Sequence, residues 1–458
     1  MKKKEVFRRG AQSARELALQ VLMDLETNDG YVNLTLSRHL QRTNFEGVER
    51  ALASELAYGV ITRLNTLDWR LEQFLNKPLE KLTVPVRNIL RLGLYQILFM
   101  EKIPHRAAVD ESVKLAHRYG HRGVAGLVNA VLRRSSREGE PVWPECEENP
   151  YAYLALKESH PEWIVRRWVR RFGFEETLQL CEANNKPPAL SIRVNSLKVT
   201  KNELVTLLEE EGVEVKESRY CEEGLLIKSP IPLTSLTAFN KGLFAVQGES
   251  AMLATKILSS LPGEKVADLC AAPGGKTTHL AQLMQNRGKI AAVDLSAKRL
   301  NLVKEAAERL GCKCIETITW DATDHTLVSK YFGFDRVFLD APCSGLGVIR
   351  RKPDLKWRKK EKDLKTLASV QYKLLQTGRD MLRPGGFMLY CVCTNEPEET
   401  EGLIYLFLKQ NPSLSLVDFS EHLPSALKVE QLAKGMLHLY PHRHGVDGFF
   451  MAKLVKHG

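Results

Sequence analysis

At 458 residues the chain exceeds one ordinary domain, so two or three are expected. A composition of 44% hydrophobic and 26% charged residues excludes general disorder, and 66 Lys plus Arg against 55 Asp plus Glu, a balance of +11, favours a polyanionic partner over a neutral small molecule. There is no run of 18 apolar residues, no apolar stretch behind the basic Met1–Arg9, and no CxxC pair among the nine cysteines. A membrane span, a secretory leader, a disulfide framework and a metal site are therefore not expected, and the cytoplasm is the expected compartment.

Residues 1–140 read as all-helical. Ser13 and Glu16 have capping-box spacing, followed by Leu17, Ala18, Val21 and Leu22 on one face. A second helix begins sharply at Pro85, keeps its period through Val86, Ile89, Leu90, Gly93, Leu94, Ile97 and Leu98, and closes at Pro104. This part holds 23 basic and 16 acidic residues, and the Pro/Glu-rich 138–150 reads as a linker.

Residues 151–240 suggest a small α+β module, with a strand near Ala189–Asn195 and a helix over about 201–211; the span 141–240 carries 12 basic and 16 acidic residues. Residues 241–458 return to a basic balance, 31 against 23. Strand candidates recur at 265–270, 289–295, 314–320, 336–340, 387–392 and 449–455, with helical patterns between most of them. Alternation of this kind predicts a C-terminal α/β doubly wound, Rossmann-like domain built on a parallel sheet.

The first turn of that sheet reads Cys270-Ala271-Ala272-Pro273-Gly274-Gly275-Lys276 and opens a helix. Ligands of such sheets bind at the carboxyl ends of the strands, where glycines admit a close backbone approach. Asp294, ending the next strand 19 residues after Gly275, can accept both hydroxyls of a ribose. The turn has neither G-x-G-x-x-G nor a P-loop, so a ribonucleoside without phosphates, such as S-adenosylmethionine, fits better than a dinucleotide. Asp321, after the third strand, offers an acceptor for the adenine amino group or a helix cap.

The fourth strand runs into Asp340-Ala-Pro-Cys343 and the fifth into Cys393-Thr394. Neighbouring strand ends would bring both thiols to one crevice. Cytosine carbon 5 is a poor nucleophile, and a thiolate adding to carbon 6 activates it towards a sulfonium methyl; a base then takes the carbon-5 proton and the thiolate leaves. One thiol as nucleophile and a second near the departing proton suit that sequence, and Asp340, if protonated, would hydrogen-bond cytosine N3. Cys146, Cys181, Cys221, Cys312 and Cys314 read as packing, as does Cys391.

Asp268-Leu-Cys-Ala-Ala-Pro-Gly-Gly-Lys-Thr277, Asp340-Ala-Pro-Cys-Ser-Gly345, Cys393-Thr394 and Asp447-Gly-Phe-Phe450 resemble the motifs of the RNA 5-methylcytosine methyltransferases. Arg193-Val-Asn195 resembles that family's adjunct motif, and residues 80–134, with Arg91-Leu-Gly-Leu-Tyr-Gln96, resemble the NusB RNA-binding fold. The combination is that of bacterial ribosomal RNA cytosine methyltransferases. The resemblance implies three parts: an all-α NusB-like domain over 1–140, a small α+β adjunct module over 151–240 and a methyltransferase domain over 241–458. It also implies Cys393 as nucleophile, Cys343 in adduct release, Asp340 at the cytosine, and S-adenosylmethionine held by Cys270 to Lys276, Asp294, Asp321 and Asp340. Departures from the family pattern include Leu346 for Thr, Thr394 for Ser, Gly248 for Asp and Thr400 for Asn.

Nine basic and three acidic residues crowd 350–365, directly after the Cys343 loop. Arg350, Arg351, Lys352, Lys356 and Arg358 are therefore expected to grip phosphates beside an unpaired or flipped-out cytosine, with 16S rRNA as the partner implied by the resemblance and a monomer expected. Three other readings stay open: a cytosine-5 methyltransferase acting on another RNA or on DNA with Cys343 as nucleophile, a non-catalytic RNA-binding assembly factor, and an NAD-linked oxidoreductase.

Overall fold

A computed structural model describes residues 10–28, 30–139, 141–229, 231–433 and 435–458; the basic stretch Met1–Arg9 and Glu140, at the two ends of the expected first domain, lie outside them. The chain forms two units. One comprises residues up to Lys186 together with Arg351–Arg358, the other Pro187–Arg350 and Lys359–Gly458.

The first unit is helical throughout. Its first helix, Ala14–Thr27, buries Leu17, Ala18, Val21 and Leu22, as its period requires. Ser13 accepts from the Glu16 amide, but the Glu16 carboxylate turns to the Gln12 amide at 2.8 Å and to Arg118 at 2.9 Å, so only half of the expected capping box forms. The helix Val84–Phe99, with Pro85 in its first turn, supplies Ile89, Leu90 and Leu94 to the same core. The expected linker is docked: Pro141 is buried and Trp143 stacks on Trp69 with centroids 5.2 Å apart.

Helices Pro150–Lys157, Glu162–Phe172 and Phe174–Asn184 belong to this unit, whereas the expected adjunct module began at 151. The first of them is held by its backbone carbonyls: Asn65 donates to Ala155 and Thr66 to Leu156. The segment 351–358 is threaded into the same unit. Trp357 Nε1 and Lys356 Nζ donate to the carbonyls of Ile61 and Thr62, at 2.7 and 3.0 Å. Those carbonyls end the helix Gly47–Thr62 and have no partner within it.

The second unit opens with a four-stranded antiparallel sheet of β1 (Leu190–Val194), β2 (Glu214–Glu217), β3 (Gly224–Lys228) and β4 (Phe244–Val246), in the order β2-β3-β1-β4. Helix Lys201–Glu210 carries a complete Thr200–Glu203 capping box and buries Leu204 and Leu208 in the core of this module.

A second sheet follows. Its strands are β5 (Lys265–Asp268), β6 (Lys289–Asp294), β7 (Ile315–Thr319), β8 (Phe334–Asp340), β9 (Leu382–Val392), β10 (Leu414–Leu416), β11 (Gln431–Ala433), β12 (Met436–Leu439) and β13 (Phe449–Lys456). The order is β11-β12-β13-β9-β8-β5-β6-β7, with β10 on β13. Strands β5 to β9 are parallel, as expected, but β10 to β13 are antiparallel, so the sheet is mixed. From β5 the chain winds outward through β6 and β7, then returns to β8 on the other side of β5. That reversal opens a crevice at the carboxyl ends of the strands, and the glycine turn lies in it.

Candidate active site

Two strand ends bring the candidate thiols together. Strands β8 and β9 pair in parallel with Asp340 opposite Cys391, so the loops that follow leave the sheet side by side. Cys343 Sγ and Cys393 Sγ are 3.3 Å apart, both half-buried. The Ala341 amide bonds the Cys391 carbonyl and the Gly347 amide bonds the Cys393 carbonyl, at 3.1 and 3.0 Å. The Gly448 amide in turn bonds the Gly347 carbonyl at 2.8 Å, and a Cβ on Gly347 would sit 2.1 Å from the Gly448 oxygen, so no larger residue fits there.

A charged pair lies beside the sulfurs. Lys276 Nζ is 2.6 Å from Asp340 Oδ2, and Cys391 Sγ approaches Asp340 Oδ1 at 3.7 Å. Burial pulls the Lys276 ammonium down, but Asp340 and the sulfurs of Cys391 and Cys393 outweigh it and the net shift is upward. The contact with Cys393, together with burial, pushes the Cys343 thiol well above its ordinary range. Cys343 thus holds its proton, and the fixed ammonium favours negative charge on the neighbouring sulfur. Cys391 is fully buried, as packing predicts, yet it also supports the aspartate. β9 ends at Val392, and Cys391 and Cys393 border the same apolar cluster.

The glycine turn is built from strand β5 and helix Gly275–Leu283. Gly274 has φ +101°, a conformation that favours glycine, and a Cβ added there would sit 3.0 Å from the Val303 Cα. Asp294, at the end of β6, accepts from the Ala272 amide at 3.2 Å and the Ser296 amide at 3.0 Å, and pairs with the exposed Arg299 at 3.2 Å. Asp321 is exposed and accepts from the Thr323 amide and hydroxyl through Oδ1, which makes it a turn cap while leaving Oδ2 uncommitted among the described residues. Burial and the surrounding carboxylates push the Cys270 thiol well up, so it sits in the turn as a neutral side chain.

Arg193 supplies a support whose role the sequence reading did not foresee. Fully buried, it donates to the Gly275 carbonyl at 2.8 Å, Thr278 Oγ1 at 3.2 Å and Gln282 Oε1 at 3.1 Å, and also to Gln247. The antiparallel module thereby holds the helix that follows the glycine turn.

Three family models match the chain: NusB over residues 12–137, the RsmF/B-like ferredoxin-like domain over 160–234, and the 16S rRNA methyltransferase RsmB/F over 255–455. A probable ribosomal RNA small subunit methyltransferase B of Bacillus subtilis strain 168 is 39% identical, with 97% of this chain and 99% of the relative covered. The chain belongs to the ribosomal RNA small subunit methyltransferase B family. A second relative with that family name, from Pseudomonas putida, is 34% identical over 93% of this chain and 95% of its own. Among solved structures, PH0851 superposes with a TM-score of 0.83 at 30% identity, covering 97% of this chain and 98% of that one. NSun6 from Pyrococcus horikoshii, solved with SFG, has a TM-score of 0.58 at 26% identity and covers 65% of this chain and 99% of its own.

For this family member the expected phosphate grip needs correction. Lys356 is fully buried on the Thr62 carbonyl, and burial holds its ammonium down at about 7; no phosphate reaches it. Arg358 donates to the Gly30 carbonyl and stacks over Tyr31. Arg350 is spent on the Gly445 carbonyl at 2.9 Å, and Arg351 is half-buried. Of the five, only Lys352 is fully exposed. A charge count does not reveal that Leu355 and Trp357 carry the segment into the first unit's interior. No group of three or more metal-binding side chains occurs among the described residues, and no helix among them is long and apolar enough to cross a membrane.

Proposed function

We propose that the protein methylates carbon 5 of a cytosine in small-subunit (16S) rRNA, through a covalent bond between Cys393 and carbon 6. The observation that carries this reading is the pair of sulfurs 3.3 Å apart beside the Lys276–Asp340 ion pair. Lys276 stabilises the Cys393 thiolate, which adds to carbon 6 and moves an electron pair to carbon 5. Ion-paired Asp340 offers an acceptor, which suits the exocyclic amino group. The donor that relieves charge at N3 is then Lys276 rather than the protonated Asp340 expected from sequence. After methyl transfer a base removes the carbon-5 proton, the electrons of that C–H bond restore the ring double bond, and the bond from Cys393 to carbon 6 breaks.

The residues present fit S-adenosylmethionine. Asp268 Oδ1 is buried without a hydrogen-bond partner among the described residues, whereas Oδ2 is taken by Thr277 at 2.7 Å; a ligand carrying an ammonium group answers such an acceptor. An added Cβ at Gly275 would meet nothing within 4 Å, so the turn is open above it. Cys270 to Lys276 would cradle the cofactor, with Asp294 at its ribose and Asp321 at its adenine. Bound there, it supplies an electrophilic methyl group.

Reading both faces of a cytosine ring requires an unpaired or extruded base, which costs least in a loop. The family's rRNA names and the chain's +11 balance support a ribosomal substrate and a cytoplasmic site of action. The test is a cysteine swap on in-vitro-transcribed small-subunit rRNA. Cys393→Ala should lower methylation by about 10³-fold or more and abolish covalent capture, while Cys343→Ala should accumulate an RNA–protein adduct. The opposite pattern would make Cys343 the nucleophile.

A further inference from the structure

Behind the two thiols lie four polar side chains with no solvent exposure: Ser344, Gln371, Thr394 and Glu399. Enclosing polar groups is costly unless they are bonded, so their arrangement calls for a reason beyond stability. Gln371 Nε2 donates both to the Pro342 carbonyl at 2.9 Å and to Glu399 Oε2 at 2.8 Å. The same carboxylate oxygen accepts from the Ser344 amide at 2.9 Å. The carbonyl before Cys343 and the amide after it are thus held by one pair of side chains that also hold each other. Tyr390, on β9, anchors the far side by donating its hydroxyl to the Glu399 carbonyl at 2.7 Å.

Two further oxygens, Gln371 Oε1 and Glu399 Oε1, are buried without a hydrogen-bond partner among the described residues. A pair chosen for stability alone would not leave them so; an apolar pair of similar volume would cost less. Apart from the bond between the two side chains, the bonds the pair makes fall on the peptide groups either side of Cys343. Cys393 is held differently, by the end of its strand and by the Gly347 amide on its carbonyl, and a Ser344–Thr394 hydroxyl contact of 2.9 Å further joins the two loops.

We propose that Glu399 and Gln371 are positioning residues for Cys343, fixing its thiol for release of the covalent adduct while leaving formation of that adduct to Cys393. The inference rests on the roles given to the two cysteines above. A reacting group displaced by about 1 Å loses on the order of 100-fold in rate. Loosening this clamp should therefore slow release selectively and leave the enzyme parked on its RNA.

The experiment uses the full chain, in-vitro-transcribed small-subunit rRNA and S-adenosylmethionine, and reads both turnover and the fraction of enzyme in a detergent-stable complex with RNA. Glu399→Ala should transfer about one methyl per enzyme, then stall, with turnover down about 100-fold and the complex accumulating as it does in Cys343→Ala. Glu399→Gln, which keeps an oxygen for the Ser344 amide, should recover most of the turnover. Gln371→Leu should trap the complex in the same way and serves if Glu399→Ala does not fold. A merely structural role would lower adduct formation and release together, in step with thermal stability, and that outcome overturns the proposal. So does a folded Glu399→Ala that releases RNA at the wild-type rate. If Cys343→Ala itself traps nothing, the assignment of the cysteines fails; if it traps and the clamp variants do not, only the clamp does.

Discussion

The carboxyl edge of the large sheet has two unlike halves. Around β8 and β9 the polar groups are enclosed, and Ser344, Gln371, Thr394 and Glu399 have no solvent exposure. Around β6 and β7 the edge is more open: Asp321 is exposed, and although Asp294 is buried its partner Arg299 has a side chain 56% accessible. On the proposed reading the first half must place two sulfurs and an ion pair relative to one ring, a tolerance met only when the backbone behind them is fixed before substrate arrives. The second half need only offer acceptors to a diffusing ligand. Because Arg299 is exposed, its charge can return to water when a ribose takes its place on Asp294.

Substitutions in the two halves should fail in different ways. Lys276→Met, in the enclosed half, removes a fixed charge beside the reacting sulfur and should lower kcat by about 10²–10³-fold, measured at saturating cofactor. Asp294→Ala, in the open half, should raise KM for S-adenosylmethionine by about 10–100-fold, as loss of a charged hydrogen-bond acceptor predicts, with kcat within a few fold. Equal effects of both changes on kcat and KM would erase the contrast.

Asp268 stands between the halves and gives a pH signature. Burial pushes its carboxyl up to about 7, with Thr277 opposing and Asp340 assisting, against 3.8 for the free side chain. A raised folded pKa means that the folded protein binds the extra proton. Its stabilising effect is therefore complete below about pH 4 and disappears as pH rises through about 7. Melting curves of the ligand-free protein across that window should slope less steeply for Asp268→Asn than for the wild type. The smallest effect is expected at Lys356. Lys356→Met should leave RNA affinity and its salt dependence within about 2-fold; a salt slope shallower by about 0.7 would return that lysine to the phosphates.

The enclosed half was largely legible in the sequence. Asp340 and Cys393 each lie within one residue of a strand end, and the parallel pairing of adjacent strands leaves their loops little choice of neighbour. The contact of Cys391 with Asp340 was not legible, because it depends on how the two strands register. Glu399 and Gln371 were not foreseen, because nothing local distinguishes a buried glutamate in a Pro-Glu-Glu run from its solvated neighbour. The antiparallel strands β10 to β12 are three or four residues long, too short for a period to show. Charge counting failed at 351–358 for a plainer reason: long basic side chains can reach helix-end carbonyls as readily as they reach phosphates.

The close backbone meeting of Gly347 and Gly448 has a consequence for biogenesis. Ser250 donates to the Asp447 carbonyl at 2.8 Å, and β13 pairs with β9 beside both thiol-bearing loops, Met451 opposite Cys391. During vectorial synthesis the cysteines emerge first, without the strand that braces them. A nascent chain halted before residue 447 would carry every reacting group yet lack the brace that brings them to bear. Activity is therefore expected only once β13 has docked beside these loops.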